Sequence, residues 1–258
     1  MPLFGNDIFM ALPVFVLVLF RIGGLLMTAP LLSSEMIPMR VRAAMAMTLA
    51  LIVFPLVAPQ APADLSLSLL VIGGVTELAI GAVCGVAVSI TLMAAEMAGT
   101  MVGQQAGIGL GEVFDPAMGG EVSIMGQVFS IVLVTSFLII GGHRAMIAGV
   151  LDSYQSTPLL TGRFDESAVE LLIDLLGSSF LLAIRVAGPA LTAMFLTMVA
   201  LSFLSRTMPQ LNILSVGFQV QTMVAMGITG LAIMAMQELL VGGVWDGLDA
   251  MRGWLGVS

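Results

Sequence analysis

Two apolar runs, residues 67–102 and 168–204, constrain this chain more than anything else in it. A bilayer core is crossed by about 20 helical residues. Runs of this length therefore have to tilt strongly, fold back as hairpins, or leave the lipid for part of their course. Four shorter apolar blocks lie at approximately 8–32, 41–58, 122–141 and 211–241. Only 9% of the residues are charged, against about 25% in an ordinary soluble domain, and the mean hydropathy is +1.12. The sequence predicts an all-α, polytopic integral membrane protein, one domain over residues 1–258 with no soluble module. No basic region precedes the first apolar run and Arg21 falls inside it, so this segment is expected to stay rather than be cleaved as a signal.

Glycine and proline loosen helices, which puts the expected bends at Gly81 to Gly85 in the first long run and at Arg185 to Pro189 in the second. If each long run makes two passes, Arg40, Arg42, Arg144, Arg163 and Arg206 gather on one side and only Arg185 and Arg252 fall opposite. The positive-inside rule makes the first side cytoplasmic. Single passes spread the arginines evenly and give no orientation. The sequence therefore favours bent helical hairpins, with the Gly-rich stretch 103–123, GQQAGIGLGEVFDPAMGGEVS, on the outer face near residues 59–66.

Composition excludes several function classes. A net charge of -8 with no lysine argues against a hold on nucleic acid. One His143 and one Cys84 predict neither a metal site nor a disulfide, and no cofactor motif is present. Cys84, in the run GAVCGVAV, reads as a small buried residue. No nucleophile elbow, HExxH or phosphate loop occurs, so catalysis is not expected. The glycines at 107, 109 and 111 miss the dinucleotide fingerprint at Glu112. GLGE at 109–112 resembles the GxGD of intramembrane aspartyl proteases, but the apolar blocks offer only Asp174 as a second aspartate.

Three patterns remain. Ala95, Gly99, Gly103, Gly107 and Gly111 recur every four residues, which on a helix makes a smooth ridge for close backbone approach, and Gly73, Gly81 and Gly85 keep the same spacing. Interior glycines cost roughly 1 kcal/mol each relative to alanine, so the ridge predicts a helix held by a tight neighbour and readily dislodged. Ordinary helix packing followed by a turn is the plain alternative. Met93, Met97 and Met101 form a second stripe, suited either to sealing a pore around a changing occupant or simply to adaptable packing. Arg21, Glu77, Glu96, Asp174 and Arg185 are charges inside apolar blocks and need partners or water. Structural ion pairs are expected of them rather than a transport relay.

Ordered along the chain, these residues resemble the FliR family of flagellar biosynthetic proteins, whose virulence counterparts serve type III secretion. Arg21, Ala29, Pro30, Pro38, Arg40 and Arg42 in FRIGGLLMTAPLLSSEMIPMRVRAAMA carry the first part of the resemblance. Asp115 and Pro116, then Gly142 and His143, then Asp152, Ser153 and Pro158 carry the middle. Arg206, Pro209, Gln210 and Asn212 of SRTMPQLNILSVGFQVQ carry the last, with Leu211 where methionine is usual.

The resemblance implies a subunit that assembles with FliP and FliQ homologues into an export gate in the inner membrane, at the flagellar basal body. The gate associates with FlhB and FlhA homologues and passes unfolded flagellar proteins. It further implies that the segment containing Gly103, Gly107, Ile108, Gly109, Leu110 and Gly111, ahead of Asp115 and Pro116, is a periplasmic plug. The family's methionine gasket comes chiefly from FliP, and by analogy with it Met93, Met97 and Met101 are expected to line the pore. Arg21, Arg185, Arg206, Pro209, Gln210 and Asn212 are expected to serve assembly. The rival readings are a small-molecule or ion permease using Glu77, Glu96 and Arg185, and an intramembrane hydrolase.

Overall fold

The computed structural model describes residues 6–30, 32, 37–60, 66–108, 123–162, 166–208 and 213–256. These residues fold into helices α1 (Asn6–Thr28), α2 (Met39–Val57), α3 (Leu67–Gln105), α4 (Ile124–Ile139), α5 (Gly142–Ser156), α6 (Glu166–Thr207) and α7 (Ile213–Trp254), with a 3-10 turn at Ala58–Gln60. Three of them, α2, α3 and α6, are long and apolar enough to cross a membrane, and α4 with α5 adds a fourth if this bent pair is one span. The chain is a membrane protein of the all-α class, as its composition predicts.

The hairpin expectation for the two long runs is corrected. Residues 67–102 lie in one 39-residue helix and residues 168–204 in one 42-residue helix, with no break at Gly81 to Gly85 or at Arg185 to Pro189. The physical reason is visible at Gly81 and Gly85: both lie against the backbone of α1, so these glycines serve close contact rather than a turn. Pro189 sits inside α6, a position tolerated in membrane helices when neighbouring groups take up the freed carbonyl. The two-pass arginine count loses its premise, and the outer placement of residues 103–123 no longer follows from charge. Bending and folding back occur elsewhere. α2 returns along α1, with the Phe15 and Phe54 rings edge to face at 5.9 Å, and α4 gives way to α5 at Gly141, whose φ of 78° suits glycine.

The chain packs as two compact units. One comprises Met1–Thr91, Gly141–Leu176 and Trp245–Ser258; the other comprises Leu92–Ile140 and Gly177–Val244. In the first, Val14, Leu17, Val18, Ile22 and Leu26 of α1 meet Ala46, Ala50, Val53 and Val57 of α2 together with Tyr154 and Leu159. α1 and α3 run side by side in the same direction, Leu17 by Gly73, Arg21 by Gly81 and Thr28 by Gly85. Thr28 Oγ1 donates to the Ala82 carbonyl at 3.0 Å and Ser89 Oγ to the Thr28 carbonyl at 2.7 Å, closing the upper end of that contact.

Candidate functional site

In the first unit the structure pairs two of the five in-membrane charges. Arg21 and Glu77 are both fully buried, and the Arg21 Nε–H donates to Glu77 Oε2 at 2.5 Å. The guanidinium also donates to Ser153 Oγ at 3.0 Å and twice to the Thr157 carbonyl at 3.1 Å, while its Cζ lies over the Tyr154 ring, 4.4 Å from the centroid. Glu77 Oε1 accepts the Leu160 N–H at 3.0 Å. Leu160 has φ of 67°, and its side chain fills the notch left by Gly73. One ion pair thus ties α1, α3, α5 and the connection after α5 together. Arg21, Glu77 and Ser153 stand out in the sequence, whereas Thr157 and Leu160 do not, because their backbone atoms, not their side chains, make the contacts.

The C-terminal part of α3, in the second unit, has two faces. Ala94, Ala95, Ala98, Gly99, Val102 and Gly103 are buried. A Cβ at Gly99 would collide with the Met125 carbonyl and the Gly126 backbone, and one at Gly103 would press on Ser123 Oγ at 2.8 Å. The glycine ridge therefore packs against the start of α4, whose N-cap Ser123 accepts the Gly126 N–H at 3.4 Å. The ridge ends sooner than the four-residue spacing predicts. Gly107 has φ of 73°, its N–H donates to the Gln104 carbonyl at 3.0 Å, and the Ile108 N–H donates to the Gly103 carbonyl at 3.1 Å. This is a glycine stop of the Schellman type, so Gly107 terminates α3 instead of extending the ridge. Gly109, Leu110, Gly111, Asp115 and Pro116 lie outside the described residues.

The opposite face of α3 presents Met93, Met97 and Met101 beside Glu96, Thr100 and Gln104, and with Phe180 they line an open groove of about 560 Å³. The structure thus brings the methionine stripe to one surface with a carboxylate beside it. Arg185 and Arg206 are exposed on α6, Arg206 in its last turn. Pro209, Gln210 and Asn212 lie outside the described residues.

Residues 12–245 match the family described as bacterial export proteins, family 1. The chain belongs to this family. Curated relatives agree with the match along most of their length. The chain is 28% identical over 216 residues to the flagellar biosynthetic protein FliR of Pectobacterium carotovorum subsp. carotovorum, covering 83% of this chain and 81% of the relative. It is 27% identical over 225 residues to the FliR of Bacillus subtilis, covering 85% and 86%. It is 28% identical over 218 residues to the Yop proteins translocation protein T of Yersinia pestis, covering 82% of each. A family 1 export protein is a component of a bacterial protein-export apparatus, and both the Arg21–Glu77 pair and the α3 groove fall inside the matched residues.

Proposed function

We propose that this chain is the FliR-type subunit of a flagellar type III export gate, acting as one gate domain over residues 1–258. With FliP and FliQ homologues it forms the pore through which unfolded flagellar proteins cross the inner membrane at the basal body. FlhB and FlhA homologues dock on the gate. The chain performs no chemistry, and the driving energy comes from other proteins. The observation that carries this reading is the family match across residues 12–245, shared by flagellar and virulence relatives. A permease would need Glu77 free to bind a solute, but both of its oxygens are taken by Arg21 and the Leu160 N–H.

Within that reading, residues 103–120 are the plug and Met93, Met97 and Met101 face the pore. The glycine stop at Gly107 supports a segment that leaves α3 sharply, and the groove supports a methionine surface able to repack around a passing chain. Arg206, Pro209, Gln210 and Asn212 serve contacts with neighbouring subunits near the end of α6.

Co-expression with FliP and FliQ homologues is expected to convert the chain from an unstable or aggregated preparation to a monodisperse complex, read by co-purification and size-exclusion chromatography. A stable monomer that transports a solute alone would overturn the gate reading. Shortening residues 103–120 is expected to leave the complex assembled but leaky to ions, measured as inner-membrane permeability. Gly107→Val adds about 1–2 kcal/mol of left-handed strain and is expected to misplace the segment, changing permeability or blocking secretion. An assembled gate that stays tight to ions after shortening rejects the plug.

A further inference from the structure

Two rows of side chains run beside each other along the C-terminal part of α3. Met93, Met97 and Met101 make one and Glu96, Thr100 and Gln104 the other, each with the four-residue step that keeps to one face of a helix. Both rows line the groove, together with Phe180 of α6. The second row is a polar strip about 12 Å long set into a methionine surface. Glu96 is half-buried, yet among the described residues its carboxylate makes neither a hydrogen bond nor an ion pair. In this it differs from Glu77, both of whose oxygens are taken. The Glu96 backbone carbonyl accepts the Thr100 hydroxyl at 2.8 Å. That commits the one proton on Thr100 Oγ1 to the helix, and the atom offers the groove lone pairs alone. An ionised carboxylate likewise accepts and does not donate. Among the described residues no arginine lines the groove. Arg185 stands five positions from Phe180, about 140° around α6.

An unpaired carboxylate is costly against lipid tails, so this surface needs water or a cation opposite it. We propose that Glu96, with Thr100 Oγ1 beside it, makes the passage over α3 selective for positively charged solutes, gathering hydrated potassium or sodium ions and excluding chloride. This selectivity rests on Met93, Met97 and Met101 facing the pore, as proposed above, and adds the sign of the charge that the pore prefers. The methionine row carries no charge with which to tell one ion from another, so the discrimination belongs to Glu96. Carboxylates serve the same end in the constrictions of cation channels. By Coulomb's law, a unit charge several ångströms from the path in largely aqueous surroundings changes the local concentration of a monovalent ion by about 3- to 10-fold.

The test uses the full chain co-assembled with FliP and FliQ homologues, with residues 103–120 shortened, in planar bilayers under a gradient of potassium chloride. The reversal potential gives the permeability ratio of potassium to chloride. The expected result is a preference for potassium that falls by about 3- to 10-fold in Glu96→Gln, is kept in Glu96→Asp, and turns towards chloride in Glu96→Arg. An unchanged ratio in a conducting Glu96→Gln gate overturns the proposal and leaves the pore reading standing. A shortened gate that assembles and conducts nothing overturns both. A second measurement keeps Glu96 in place. Met93→Cys, one turn from Glu96, is labelled in the shortened gate on a Cys84→Ala background with cationic and anionic methanethiosulfonates, each rate divided by that reagent's rate with a free thiol. The cationic reagent is expected to be favoured by about 3- to 10-fold in low salt, and the advantage to shrink in molar salt, which screens the carboxylate. Equal normalised rates in low salt overturn the proposal, even where Glu96→Gln fails to assemble.

Discussion

Replacing Glu77 by leucine is expected to destabilise the fold by about 3–5 kcal/mol, because it leaves the Arg21 guanidinium buried without its counter-charge. For a chain of this size such a loss lowers Tm by on the order of 10 °C. The same change orphans the Leu160 N–H, whose acceptor is Glu77 Oε1, so the connection after α5 loosens together with the α1–α3 contact. The double variant Arg21→Met with Glu77→Leu removes both charges and is expected to be more stable than Glu77→Leu alone. It does not return fully, since Ser153 Oγ and the Thr157 carbonyl lose their donor, at about 1–3 kcal/mol for a buried group left unsatisfied. Thermal unfolding of the two single variants and the double variant, analysed as a cycle, checks this. Additive losses would mean that Arg21 and Glu77 act independently and that the pair is not what joins these helices.

The second large effect comes from adjacent glycines in α1. A Cβ at Gly24 would collide with the Leu78 carbonyl and the Ala82 N of α3, whereas one at Gly23 meets nothing within 4 Å. Gly24→Ala is therefore expected to force two backbones apart and to lose about 1–3 kcal/mol or more to overpacking, outweighing the gain of roughly 1 kcal/mol in helix propensity. Gly23→Ala keeps only the gain and is expected to raise stability by up to about 1 kcal/mol. Gly81→Ala, which meets the Arg21 carbonyl and the Leu25 N from the other helix, should behave like Gly24→Ala. Tm values of the three variants decide the matter: equal shifts at Gly23 and Gly24 would show that helix propensity, not close approach, sets the requirement for glycine here.

The spacing at Gly81 and Gly85 was legible as a small-residue ridge, but the partner across it was not. Gly24 belongs to no four-residue repeat, and nothing local separates it from Gly23. The difference arises because α1 and α3 cross there, a fact about residues more than fifty positions apart. At the end of α3 the opposite error occurs, since the four-residue spacing carries the ridge through Gly107 and the helix stops there. Periodicity records which residues would share a face if a helix continued, and it is silent on whether the chain leaves the helix through a left-handed glycine. The charges show the same division. Arg21, Glu77, Glu96, Asp174 and Arg185 are all conspicuous in apolar surroundings, yet the pairing of Arg21 with Glu77 depends on α1 and α3 lying parallel and in register.

By itself the sequence determined that this chain is helical and embedded in a membrane, because hydropathy is a sum over residues and needs no knowledge of contacts. Its ordered motifs also determined the family, since the residues of FRIGG, VFDP, GGHR and SRTMPQLN keep their order and spacing whatever the fold around them. Only the tertiary structure decided that residues 67–102 and 168–204 run straight on as single helices. A summed transfer energy has the same value for a long helix and for two short ones. The choice depends on whether a neighbour occupies the glycine notches and leaves no room for a turn, as α1 does at Gly81 and Gly85.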